Sequence, residues 1–502
     1  MFFHQKIDLK AVIGNAGLLL FVPAMMAFCS IPISLFFKEY FAILPFLFTG
    51  IVNFLLGFVF YKLCFRPKKI HLWDAMLSAA LGWLLCPIVS AVPYIWVSYL
   101  VEGTKLASSG TKFMMIPLNA FFETFSGFTS TGLSMIKEPQ LLPYSLQWWR
   151  AFTEWVGGVG LIVFVLSFME PLHKEFRLFY AETRSKELGK SLIETGRMIW
   201  LIYIIYTIVF GLLFWLFGMP LWESICHSMT GISTGGFTVS ANSFADYTPM
   251  IKSLTVLVML AGAMSFSIHH KILFEKDFMI AWRNIQNRLL YLFAIVGALF
   301  VYFLAFPYFT FLDAVFQWVS SLGTCGFSTM NLTLLHPIVK IFLVIGMIIG
   351  GASGSTVGGI KIRRLIYLWQ AVVLRLRSFT VQKEKKVLKE SSKSEPTGVD
   401  LPEGHKTERL YEASVLFALW ITSIAFGWFW LSYILPQKNG IDLLFDVSSA
   451  MSNVGLSAGI TGPELPVMGK IILMFLMWLG RLEIIPILIL LLSPIVAFAR
   501  KK

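Results

Sequence analysis

Four short segments place a glycine beside small or hydroxyl residues, each between a short amphipathic run and a long apolar one. They are Thr129-Ser130-Thr131-Gly132, Ile232-Ser233-Thr234-Gly235, Gly323-Thr324-Cys325-Gly326 and Asn453-Val454-Gly455. Glycine admits backbone angles that a Cβ forbids, so successive carbonyls can turn the same way. A ring of such carbonyls, supplemented by hydroxyls, can replace the water around a singly charged cation, whereas a ring of carboxylates would hold divalent ions too tightly for transport. One Ser-Thr-Gly is an ordinary loop end. Four in order, one per hairpin, read as a divergent repeat whose turns meet at one axis. The chemistry this predicts is coordination and passage of a cation.

The elements that must position these turns lie in an apolar chain. Of its 502 residues 57% are hydrophobic and only 14% charged, well below the quarter expected of a soluble domain. This predicts an all-α polytopic membrane protein. Ten spans are expected at about 11–36, 41–64, 74–100, 146–170, 198–218, 249–270, 288–306, 337–375, 411–434 and 467–498. Between them lie four runs too short to cross, at 118–128, 221–231, 311–322 and 441–452, expected as re-entrant helices leading into the turns. The chain divides into a leading hairpin (1–70), pore repeats at 71–190, 191–284 and 285–380, a polar linker (381–408) and a fourth repeat (409–502).

The net charge is +13, and the basic residues gather in alternate loops: Arg66 to Lys69, Lys174 to Lys190, Lys271 to Arg288, Lys361 to Lys389 and Arg500 to Lys502. The positive-inside bias then puts both termini in the cytoplasm and all four turns on the outer side, so the charge needs no nucleic-acid partner. The five cysteines form no CxxC or Cys/His cluster, which implies neither a disulfide framework nor a zinc site.

Gly350, Gly351, Gly354, Ser355, Thr356, Gly358 and Gly359 lie within ten consecutive small residues of the eighth span. Either the helix opens there into a loop, or the segment is a close-packing helix face. Arg481 lies at bilayer depth in the tenth span, where it needs a partner or a wet cavity. It either pairs with an acid such as Glu483 or sets a barrier beside the permeation path. Arg150 and Glu154 stand one helical turn apart and are expected to pair locally, while Glu123 is placed to brace the first turn from behind. His227, His269 and His270 are expected in packing or interfacial roles.

The segments Phe122-Glu-Thr-Phe-Ser-Gly-Phe-Thr-Ser-Thr-Gly132, His227-Ser-Met-Thr-Gly-Ile-Ser-Thr-Gly-Gly236, Ser320-Ser-Leu-Gly-Thr-Cys-Gly326 and Ser449-Ala-Met-Ser-Asn-Val-Gly455 resemble the Trk/Ktr potassium transporter family from about residue 70 to the C-terminus. The leading hairpin resembles the Trk branch. The resemblance implies four pseudo-fourfold helix–re-entrant loop–helix repeats around a pore and potassium uptake at the plasma membrane (the bacterial inner membrane). It also implies a homodimer with one pore per subunit and a cytoplasmic nucleotide-binding regulatory partner. Potassium would be bound in the filter as cargo, with no organic cofactor. The glycine-rich segment and Arg481 would form the gate. A sodium or ammonium pathway on the same scaffold is the alternative. A polytopic membrane enzyme would need carboxylate or His pairs on one face, and none stands out in the sequence.

Overall fold

The computed structural model describes residues 8–64, 72–160, 192–380 and 403–499, and every regular element among them is helical. The leading hairpin is α1 (Leu9–Phe36) and α2 (Ile43–Cys64). The first repeat holds α3 (Leu72–Ser90), α4 (Val92–Val101), α5 (Ser109–Met114), the re-entrant α6 (Pro117–Phe128) and the outer α7 (Tyr144–Val159). The second holds α8 (Leu192–Leu216), the re-entrant α9 (Leu221–Ile232), then α10 (Pro249–Ala263), α11 (Phe266–Phe274) and α12 (Ile280–Arg283). The third holds α13 (Ile285–Ala305), the re-entrant α14 (Phe311–Leu322), α15 (Pro337–Ile349) and α16 (Ile362–Thr380). The fourth holds α17 (Glu403–Ile434), the re-entrant α18 (Gly440–Met451), α19 (Val467–Arg481) and α20 (Ile485–Ala499).

The re-entrant helices fall within a residue or so of their expected bounds. Their starts are fixed locally: Pro117 opens α6, the Thr310 hydroxyl accepts from Asp313 N–H at 3.2 Å, and Asn439 Oδ1 accepts from Ile441 N–H at 2.9 Å. Six helices among the described residues are long and apolar enough to cross a membrane: Leu9–Phe36, Tyr40–Cys64, Trp73–Val101, Glu194–Leu216, Ile285–Ala305 and Arg409–Ile434.

The other expected spans differ from straight rods. Those at 249–270 and 467–498 are bent, α10 against α11 by 107° and α19 against the start of α20 by 116°. The two residues between α10 and α11, Met264 and Ser265, are neither glycine nor proline, and Gly262 stands just before them at the end of α10. There the carbonyls of Gly262 and Ala263 accept from Thr356 N–H (3.3 Å) and Ala352 N–H (2.9 Å), and Phe266 N–H donates to Gly354 O (2.9 Å). The bend frees exactly the backbone groups that the glycine-rich segment needs, which is how non-helical backbone is tolerated away from water. At the second bend Glu483 and Ile484 take φ of 59° and 68°, and the Glu483 carboxylate is held by Lys361 and Arg364. The fourth expected span is described only as far as Gly160; the basic loop that follows it and most of the 381–408 linker lie outside the described residues.

Each outer helix packs against the re-entrant helix of the next repeat: α7 on α9, α10 on α14, α15 on α18, and α19 back on α6. A polar clamp repeats at each joint from the fourth residue of the outer helix. Lys252 lies 4.0 Å from Asp313, Lys340 2.6 Å from Asp442, and Lys470 Nζ donates to Asn119 Oδ1 at 2.7 Å. In the first repeat Gln147 replaces lysine and accepts from Trp222 Nε1 at 2.8 Å. The four repeats therefore close head to tail into a ring. The leading hairpin leans on this ring through Glu39, whose carboxylate accepts from Tyr144 N–H and Ser145 N–H (2.8 Å each) and so caps α7 with negative charge.

Candidate functional site: a closed ring of four turns

All four re-entrant helices end in the same backbone shape. Ser130, Thr234, Thr324 and Asn453 take φ between 43° and 52°, and two residues later Gly132, Gly236, Gly326 and Gly455 take φ between 83° and 98°. The residue between them donates its N–H five residues back: Thr131 to Ser126 O, Gly235 to Thr230 O, Cys325 to Ser320 O and Val454 to Ser449 O, at 2.8–2.9 Å. This caps the helix C-terminus. Left-handed backbone without glycine costs energy, and four equivalent instances in one place mark a built site.

The glycines face one another around a circle. A Cβ on Gly132 would meet the Gly235 carbonyl, one on Gly236 the Cys325 carbonyl, one on Gly326 the Val454 carbonyl, and one on Gly455 the Thr131 carbonyl. Each such Cβ would also stand 3.0–3.1 Å from the Cα of the neighbouring turn's glycine or the residue carrying that position: Gly236, Gly326, Gly455 and Gly132 in turn. Only a residue without a side chain fits there. Among the described residues, none of the carbonyls of Thr131, Gly235, Cys325 and Val454 accepts a hydrogen bond. The C-terminal dipole ends of four helices converge behind them, which favours a cation.

This geometry shifts the register of the second turn. The sequence pairs Gly235 with Gly132, but the backbone pairs Gly236 with it; Gly235 stands where Thr131, Cys325 and Val454 stand. Two adjacent glycines left the sequence register ambiguous. Ile232 closes α9, and Ser233 and Thr234 match Thr129 and Ser130. In the fourth turn the capping position, matching Thr129 and Gly323, is Ser452, one residue before the expected Asn453–Gly455 segment.

The hydroxyls brace the turns. Thr129 Oγ1 donates to Phe125 O (2.8 Å), Ser130 Oγ to Ser233 O (3.0 Å) and Ser233 Oγ to Thr230 O (2.9 Å), while Thr131 Oγ1 accepts from Asn453 Nδ2 (3.0 Å). Ser130 thereby links turn one to turn two, and Asn453 links turn four to turn one.

The glycine-rich segment is a loop, not a packed helix face. Gly350 (φ 69°) ends α15, and the chain returns to helix at Ile362. Between them the loop lies against the ring. Thr356 Oγ1 meets Ile232 O and Thr234 Oγ1 (3.2 Å each), Gly358 N–H donates to Thr324 Oγ1 (2.9 Å), and a Cβ on Gly358 would strike Ser452 O. Gly354, Ser355, Thr356, Gly358 and Gly359 line a cavity with Lys361, Asn453, Arg481 and Glu483. Gly351 sits outside that lining; its N–H-bearing neighbour Ala352 bonds to Ala263 O.

Arg481 donates to the carbonyls of Gly157 and Gly158 (3.0 Å to the latter) at the end of α7, and its guanidinium lies 5.3 Å from the Trp83 ring centre. Glu483 turns to Lys361 (3.0 Å) and to Arg364. The expected local pair of Arg150 with Glu154 is replaced by a longer-range one. Arg150 Nε lies 2.8 Å from Glu123 Oε1 and its Nη1 donates to Thr238 O at 2.8 Å, while Glu154 accepts from Phe237 N–H at 3.0 Å. Each carboxylate is drawn to the backbone beside a turn. His269 joins Tyr206 Oη to Ala261 O, and no group of three His, Cys, Asp or Glu side chains gathers as a metal site among the described residues.

A family model for cation transport proteins, TrkH, matches residues 89–310 and 308–495, nearly the whole ring. The chain belongs to the TrkH family. An uncharacterized cation transporter of Methanocaldococcus jannaschii is 31% identical over 97% of this chain and 96% of its own length. The Trk system potassium uptake protein TrkH of Vibrio parahaemolyticus is 26% identical over 96% of this chain and 98% of its own. A crystal structure of the potassium transporter TrkH from Vibrio parahaemolyticus superposes with a TM-score of 0.79 at 24% identity, covering 97% of this chain and 99% of that one. That likeness concerns the fold: a polytopic membrane protein of the same repeat architecture. Within the TrkH-family chain the four turns fall inside the matched residues, as do the glycine-rich loop and Arg481.

Proposed function

We propose that this protein carries potassium into the cell across the plasma membrane, through a filter formed by the backbone carbonyls of the four turns. The observation that carries this reading is the closed ring of Thr131, Gly235, Cys325 and Val454, four backbone carbonyls without hydrogen-bond partners among the described residues beside four glycines. Neutral oxygens suit a large monovalent cation. The potassium uptake proteins among the relatives support the choice of ion. The basic loops support an orientation with both termini in the cytoplasm and the turns entered from outside.

The test is rescue of a potassium-uptake-deficient cell in low potassium, together with potassium, sodium, ammonium and rubidium flux from purified protein in liposomes. Rescue and a preference for potassium and rubidium are expected. Sodium or ammonium passing as readily as potassium would overturn the choice of ion, and absence of any cation flux the whole reading.

The gate in this reading is the loop of Gly350 to Gly359 with Arg481 beside it. A positive unit charge about 10 Å from a cation, at an effective dielectric near 20, raises its energy by about 1.7 kcal/mol, somewhat more than tenfold in occupancy. Arg481→Ala is therefore expected to raise potassium flux by up to about tenfold while the purified protein elutes unchanged. A variant that fails to insert or assemble would instead make Arg481 a structural clamp on Gly157 and Gly158. The family resemblance further supports a homodimer and a cytoplasmic nucleotide-binding regulatory partner. Cross-linking in the membrane and co-purification test these two readings separately.

A further inference from the structure

Behind each turn stands one buried polar side chain at the same place, the seventh residue of the re-entrant helix: Glu123, His227, Gln317 and Asp446. Each reaches the residue twelve positions later, which is three past the ring glycine. Glu123 Oε2 accepts from Met135 N–H at 2.8 Å, and His227 Nε2 from Val239 N–H at 3.3 Å. Gln317 Nε2 donates to Thr329 Oγ1 at 3.4 Å, and Asp446 Oδ1 accepts from Ala458 N–H at 2.6 Å. The four types differ, yet the span is the same, with Gln317 alone ending on a side-chain hydroxyl rather than a backbone N–H. It ties the middle of the helix to the segment leaving the turn and so fixes the span that the turn must bridge.

The chords are unequal. The Glu123 carboxylate also accepts from Ser134 Oγ at 2.9 Å and is paired with Arg150. Asp446 collects three more bonds, from Ser457 Oγ (2.7 Å), Thr461 N–H (2.8 Å) and Thr461 Oγ1 (2.6 Å). Among the described residues, His227 Nδ1 and Gln317 Oε1 are buried and make no hydrogen bond, and the single bonds these two side chains make are long. Bonds to a carboxylate are shorter and stronger than neutral ones. By this chord alone, turns one and four are held tightly and turns two and three loosely; the second turn is braced instead from α7, by Glu154 on Phe237 N–H and Arg150 on Thr238 O.

We propose that these four side chains are positioning residues for cation discrimination, and that Glu123 and Asp446 carry most of it. A ring edge that cannot contract fits a larger cation and leaves a smaller one under-coordinated; a released edge closes on the smaller ion. This inference rests on the filter reading given above.

Asp446 is the cleaner test, since Glu123 is also bound to Arg150. Potassium and sodium uptake are measured side by side in proteoliposomes for wild type, Asp446→Ala, Asp446→Asn and Gln317→Leu. Asp446→Ala is expected to lower the potassium-over-sodium ratio by about tenfold or more through increased relative sodium uptake. Asp446→Asn keeps the shape and one acceptor and should recover part of the ratio; it also serves as the test if the alanine variant does not fold. Gln317→Leu should change the ratio by less than about threefold. A wild-type ratio in both Asp446 variants, with only total uptake altered, would overturn the inference, as would an equal loss in Gln317→Leu. Wild-type protein with no preference for potassium would overturn the filter reading itself.

Discussion

Gly236→Ser is expected to lower potassium-over-sodium discrimination by about ten- to a hundredfold, a free-energy change of about 1.4 to 3 kcal/mol. Two constraints act on this residue together. Its φ of 98° lies where residues with a side chain are strained, and a Cβ there would stand 2.6 Å from the Cys325 carbonyl oxygen and 3.0 Å from the Cα of Gly326. The neighbouring turn must shift, and with it a carbonyl of the ring. Gly235→Ser differs in mechanism: its Cβ would meet the Glu154 carboxylate, whose bond to Phe237 N–H supports the same turn from behind. Gly235 is not in the left-handed region, so its substitution is expected to cost less discrimination. Uptake ratios in proteoliposomes compare the two. An unchanged ratio in Gly236→Ser would remove the ring glycine from the selectivity argument.

Arg150→Ala is expected to be the most destabilising single change near the site, at about 3–5 kcal/mol. The side chains of Arg150 and Glu123 are 3% and 0% exposed. Removing the cation leaves a carboxylate buried without its counter-charge, and a carbonyl, Thr238 O, without its donor. The guanidinium also lies 4.2 Å from the centre of the Phe237 ring, so the contact between turns one and two goes with it. Thermal unfolding in detergent measures the loss. The double variant Arg150→Met, Glu123→Leu should recover part of the stability, since a well-packed apolar pair avoids the desolvation cost. It should not recover discrimination, because the chord from residue 123 to Met135 is gone. Unfolding at the wild-type temperature for Arg150→Ala would show that water reaches the pair and screens it.

The sequence showed the re-entrant helices plainly because their signals are local: an amphipathic run of a dozen residues, a cap at the start and a glycine at the end. The turns were legible for the same reason, apart from the second, where Gly235-Gly236 allowed two registers. What the sequence hid is made by tertiary partners. The bend after Ala263 has only Gly262 as a local signal; it exists because the loop before Ile362 takes the freed carbonyls. Arg150 lies one turn from Glu154 on the same helix, yet Glu123 on the preceding helix and Phe237 N–H of the next turn offer each of them a buried partner. Of the four chords the sequence offered only the first, at Glu123; the other three were hidden because Glu, His, Gln and Asp share no pattern. Only their common distance to the ring glycine reveals them.

The loop between Gly350 and Lys361 borrows its hydrogen bonds from the joint of α10 and α11, through Gly262 O, Ala263 O and Phe266 N–H, and from Gln286 Oε1, which accepts from Ser353 N–H at 3.0 Å. Apart from Ser353, which is half-buried, these residues are buried. Lifting the loop away would strip both sides at once, and each bare polar group in a dry site costs about 1–3 kcal/mol. Displacement without replacement is therefore closed off energetically. On the gating reading proposed above, whatever moves this segment must let solvent follow it in, so that unsealing the passage and wetting it become a single event.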